Sequence, residues 1–111
     1  MRYFGFFGVS QREVELARTA NQLARSCREQ VYQQAAARAA HMNPAEARGY
    51  VRVKAAEVLR RAAAAHVRGE AGGMVARQRE LANLATDIVS QWVLAEIIEI
   101  RLQAPPARKV A

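Results

Sequence analysis

Glu96 and Glu99, three residues apart near the end of a long apolar stretch, are the pair of side chains best placed to do chemistry. Carboxylates at that spacing share one face of a helix and are the minimum for a carboxylate-bridged metal site, but such sites also draw Glu-x-x-His from facing helices. The chain has no Glu-x-x-His. Its two histidines, His41 and His66, fall at a helix connection and on an alanine-rich helix, where a solvated or core-edge role is expected rather than ligation. Gly72-Gly73 ahead of a helix could offer free N–H groups to an anion, yet no preceding strand and no Lys-Ser/Thr pair accompanies it, so a connection explains it as well.

The single cysteine, Cys27, lies on an apolar stripe and is expected to be a small buried hydrophobe rather than a nucleophile. It excludes an intrachain disulfide and points to a reducing compartment, the cytoplasm. No Ser/His/Asp, Cys/His or paired CxxC constellation is present. The expectation is therefore a protein without catalytic activity, metal, cofactor or small-molecule substrate.

The remaining chemistry is that of charge. Seventeen Lys and Arg stand against ten Asp and Glu. The second helical segment concentrates the excess, with Arg48, Arg52, Lys54, Arg60, Arg61 and Arg68 against Glu46 and Glu57. Lys54, Arg61 and Arg68 recur every seven residues and so line one face able to follow a phosphate backbone. Glu57, four residues before Arg61, instead suggests an intrahelical ion pair on an ordinary solvated face. The helices are too long for a helix-turn-helix, so any nucleic-acid binding should be electrostatic and poor in sequence specificity.

Three helices must position these groups. Ser10 and Glu13 make a capping box and Val9 with Val14 a hydrophobic staple, so a helix starts at residue 11 and runs to about 40, with Leu16, Ala20, Leu23, Cys27 and Val31 as its stripe. Asn43, Pro44 and Glu46 restart the chain as cap, first helical residue and favourable charge at the dipole's positive end. Because the connection is so short, the second helix, 44–68, must fold back antiparallel, with Val51, Ala55, Val58, Ala62 and Ala65 as its stripe, flanked by Ala47, Leu59 and His66. The glycines of residues 69–73 end it through a left-handed C-terminal conformation. The third helix, 74–102, stops before Pro105-Pro106.

In that third helix Leu81, Leu84, Ala85, Ile88, Val89 and Trp92 share a face opposite Asn83, Thr86, Asp87 and Ser90, but after Trp92 the apolar residues move to the other side. Either the helix leaves its bundle there to present its end to something else, or residues 98–103, which alternate apolar and polar, form a short strand with 3–9. A third account buries Glu96 and Glu99 for a chemical purpose. Residues 88–100, broken by Ser90, Gln91, Glu96 and Glu99, read as too short and too polar to cross a bilayer, and the apolar run after Arg2 as too short for a secretory leader.

Residues 1–9 hold Tyr3, Phe4, Phe6 and Phe7, every Phe of the chain, and stand as a separate aromatic segment before a bundle domain at 10–104 and a basic tail, 105–111, expected to be disordered. The rings can fold over the near end of their own bundle, seat weakly at a membrane surface, or pack across a two-fold axis on Trp92, Val93, Leu94, Ile97 and Ile100 of a second subunit. The fold expected is all-α, a bundle of three long helices. The function expected is that of a small structural or protein-interaction module, a homo-oligomer with a dimer favoured, self-associating through the third helix and the aromatic segment. The alternative is a nucleic-acid-associated protein using the basic second helix.

Overall fold

The structure, a computed structural model of the chain, describes residues 10–69 and 75–103. It is an all-α bundle of three helices: α1 (Gln11–Ala39), α2 (Pro44–Arg68) and, after a 3-10 turn at Val75–Arg77, α3 (Gln78–Gln103). Each helix packs on both of the others, and among the described residues there is no strand. Residues 98–103 continue α3, so their alternation is a helix end and not a sheet edge.

The caps form where the side chains allow them. Ser10 accepts a hydrogen bond from the Glu13 N–H at 3.2 Å. The Glu13 carboxylate, however, reaches Arg77 at 3.0 Å, so it serves a long-range contact instead of the return half of a capping box. The staple expected from Val9 lies outside the described residues. At Asn43 the box is complete: its side chain accepts from the Glu46 N–H at 2.9 Å, and the Glu46 carboxylate accepts from the Asn43 N–H at 3.2 Å. α2 closes on Gly69 at φ −87°, a right-handed conformation, with the Gly69 N–H returning to His66 and Val67 carbonyls. Gly69 itself is therefore not left-handed, and the other glycines of the expected cap, Gly72 and Gly73, lie outside the described residues.

The buried stripes correct the sequence reading most. α1 buries Leu16, Ala20, Ala24, Cys27, Val31, Ala35 and Ala39; α2 buries Ala47, Val51, Ala55, Val58, Leu59, Ala63 and Val67; α3 buries Leu81, Ala82, Ala85, Thr86, Val89, Val93 and Ile97. Spacings of four dominate throughout. Leu23, Ala62, Leu84, Ile88 and Trp92 flank the core, half-buried, and Ala65 is exposed. Each step of four residues overshoots a turn by about 40°, so the buried face winds about 160° around α3 between Leu81 and Ile97. The change of face near Trp92 is this steady winding and not a departure from the bundle: Val93 is 0% and Ile97 3% exposed within the chain's own core. A period longer than 3.6 suits helices that cross along their four-residue ridges, and the many alanines let them approach closely. Thr86, assigned to the polar side by the sequence, is buried with its hydroxyl donating to the Ala82 carbonyl at 2.7 Å.

α3 runs parallel to α1, since Arg77 meets Glu13 at one level and Arg28 meets Glu96 farther along. By length and apolar composition the stretch Val75–Leu102 would also pass as a membrane span, unlike the shorter window read from sequence. Its fully buried residues Leu81, Ala85, Val89 and Val93 belong to the bundle core, as expected for the central helix of a bundle.

Candidate functional site

The four-residue register decides which polar side chains come together. On α2, Arg48, Arg52 and Arg60 lie one residue beyond Ala47, Val51 and Leu59, so they follow the winding core along one flank, and Arg68 continues the same register beyond Val67. That flank borders α3. Arg60 lines a concavity of about 320 Å³ with Gln78, Arg79, Ala82 and Asn83. Arg48 and Arg52 line a second, of about 360 Å³, with Asp87, Ser90, Gln91 and Leu94. Among the described residues Asp87 is the one carboxylate in either lining, and Arg52 bonds it at 2.6 Å. Arg48, Arg60 and Arg79 are exposed and have no ion pair among the described residues. The Ser90 hydroxyl, beneath the second concavity, is buried without a hydrogen-bond partner.

The other basic residues predicted for α2 do not join this seam. Lys54 sits over the Tyr50 ring, 5.6 Å from its centroid, and contacts Glu57 at 4.0 Å. Glu57 therefore pairs with Lys54, three residues before it, and not with Arg61, which is exposed on the outer face. Lys54, Arg61 and Arg68 still recur along one line of α2, but that line does not coincide with the α2–α3 concavities, whose described linings include none of the three.

The α1–α3 seam is built differently. Arg28 lies 5.6 Å over the Trp92 ring and 3.5 Å from Glu96. Arg77 binds Glu80 at 2.6 and 3.0 Å and Glu13 at 3.0 Å, which raises the guanidinium pKa above its ordinary value and holds Glu80 below the usual 4.5. Glu96 is thus an ion-pair partner, and Glu99 is exposed. Among the described residues no group of three His, Cys, Asp or Glu side chains converges. His41 is exposed, His66 is half-buried on α2, and Cys27 is buried, its thiol pKa pushed up by desolvation and slightly countered by Ser26. Gly72 and Gly73 lie outside the described residues.

Of the predicted interface residues, Val93 and Ile97 are covered by the chain itself, and Trp92 and Leu94 are half-buried against the core. Ile100 is 47% exposed, and the sequence reading missed Ile98 and Leu102, 45% and 81% exposed. Leu94, Ile98 and Leu102 recur every four residues and make an apolar edge that continues the α2–α3 seam past its polar part. Tyr3, Phe4, Phe6 and Phe7 lie outside the described residues. Arg79, Gln78, Asn83 and Gln91 also escaped the sequence reading; the signal that finds them is the spacing of four, carried across from α2. No protein-family profile matches the sequence, and no curated protein or solved structure matches it.

Proposed function

We propose that the chain is a small, non-catalytic helical module of the cytoplasm that self-associates as a dimer, with the apolar edge Leu94, Ile98 and Leu102, together with Ile100, as its contact surface. The observation that carries this reading is the exposure of three large aliphatic side chains around the last turns of one helix, Ile98 and Leu102 on one edge and Ile100 on the opposite side. The occupant is the aromatic segment of a second copy. α1 and α3 start at the same end of the bundle, where Glu13 meets Arg77. The far end of α3 lies about 39 Å away at 1.5 Å per residue, whereas nine residues reach at most about 30 Å. Tyr3, Phe4, Phe6 and Phe7 therefore fall short of Leu102 in their own chain. An antiparallel two-fold axis brings the start of one chain beside the α3 end of the other.

Light scattering after size exclusion tests it, on the full chain and on a chain lacking residues 1–8. The full chain should have the mass of a dimer, and the truncated chain that of a monomer with its helical content kept. Ile98→Lys with Leu102→Lys should dissociate it likewise. A monomeric full chain, or a truncated chain of unchanged mass, overturns the reading.

A further inference from the structure

The α2–α3 seam has features that self-association does not use. Its polar part holds three arginines without a carboxylate partner among the described residues, Arg48, Arg60 and Arg79, and a fourth, Arg52, that pairs with Asp87. On α3 it is edged by the amides of Gln78, Asn83 and Gln91. Chance scatter of surface arginine does not explain the arrangement on α2. Successive positions of the register stand about 6 Å apart along the axis, and the run from Arg48 to Arg60 covers about 18 Å of one continuous flank. The acidic residues of the neighbourhood are already committed: Glu80 to Arg77, Glu57 to Lys54, Glu96 to Arg28. Net positive charge is left where the surface is concave, which focuses the field on a bound anion.

We propose that this seam seats one phosphate ridge of a nucleic-acid duplex. Planar guanidinium groups match phosphate oxygens in a fork, and the amides donate further hydrogen bonds to phosphate or sugar. A single small anion would engage one concavity; two concavities on one line, each with two arginines, fit a repeating anion. Among the described residues no aromatic ring lines either concavity, so the described lining offers no platform for the stacking on which single-strand binding relies. Neither seam wall is a free helix that could enter a groove and read base edges, so the contact is with the backbone and blind to sequence. The seam and the dimer edge share one residue, Leu94, at the rim of the second concavity; the first concavity, with Arg60 and Arg79, contains no residue of that edge and is where the test is placed.

The test is fluorescence anisotropy of a labelled mixed-sequence duplex against the full chain, titrated from low to moderate salt, with mass measured in parallel. Arg60→Glu with Arg79→Glu should weaken binding at least tenfold and flatten the salt slope by about two phosphate contacts, at roughly 0.9 each. Arg18→Glu with Arg25→Glu, an equal charge change on exposed α1 positions, should weaken it less than threefold. Should the reversals disturb folding, Arg60→Gln with Arg79→Gln keeps the comparison, with the same direction and a smaller loss. Equal losses from both pairs would mean diffuse charge and not a site. No binding by the unaltered chain at low salt, or a tenfold preference for a single strand of the same sequence, would also overturn the proposal. A change in binding with unchanged mass separates this result from a failure of the dimer.

Discussion

The two seams that α3 makes with its neighbours are built from the same residue types and end up opposite in character. Toward α1, the two arginines that bridge the boundary are both paired: Arg77 holds Glu13 and Glu80, and Arg28 lies over Trp92 beside Glu96. Toward α2, a single carboxylate among the described residues, Asp87, faces several arginines, and the surface is concave. The chain's positive charge is therefore not a uniform coat. A paired seam gains packing from the arginine stem and local Coulomb attraction. A seam most of whose arginines lack carboxylates among the described residues has little such attraction in the free protein, and its charge is what the proposed phosphate contact would use.

The largest effect on both seams at once is expected where they share a floor. Leu59 is 0% exposed and, with Leu81, is one of the two bulkiest fully buried side chains among the described residues, in a core rich in alanine. Leu59→Ala should cost about 2–5 kcal/mol, because small neighbours on long-spaced ridges leave little bulk to collapse into the void. Urea denaturation measures it. A loss below 1 kcal/mol would show that the helices re-pack freely, and the fixed geometry of the seams would then lose its basis.

A smaller effect separates the seams directly. Arg28→Ala removes a cation–π contact, an ion pair and the cover of Trp92, and should destabilise by about 1 kcal/mol. Arg60→Ala removes a side chain without an ion-pair partner among the described residues and should change stability by less than about 0.5 kcal/mol. Equal costs in thermal denaturation would erase the distinction between a structural seam and a charged one.

What the sequence made legible were the features that depend on few residues. Capping residues marked the starts of α1 and α2 within a position, and the short connection at His41 and Met42 required them to fold back. The stripes were less legible because alanine is both a surface and a core residue: Ala24, Ala35, Ala39 and Ala63 are buried, while Ala65 is exposed. Leucine and valine alone suggested spacings of three and four, and on that period Lys54, Arg61 and Arg68 grouped together. The core's period of four regroups the arginines as Arg48, Arg52 and Arg60. It also turns the break at Trp92 into continuous winding, which is why Val93 and Ile97 were read as free for a partner. Arg79 and Asn83 were out of reach because their place depends on how α3 is rotated against α2.

The smallest expected effect concerns the closed seam at acid pH. The Arg77 guanidinium donates to both Glu80 oxygens and holds that carboxyl below its ordinary value of 4.5. A carboxylate whose pKa is lower folded than unfolded adds stability that is fully present above the unfolded value and is lost as the pH falls through the folded one. Glu80→Gln abolishes that titration. The melting temperature of the unaltered chain should therefore exceed that of the variant by a constant small margin above about pH 5, and the margin should close progressively as the medium is acidified further. Calorimetry across that range reads it. Should the margin persist unchanged to the acid limit, Glu80 contributes through packing or helix propensity, and the pairing at the mouth of the α1–α3 seam carries no charge-dependent stability. Should it close at the pH where an unperturbed glutamate titrates, the hydrogen bonds from Arg77 are too exposed to shift the equilibrium, and the contrast between the two seams would rest on Arg28 alone.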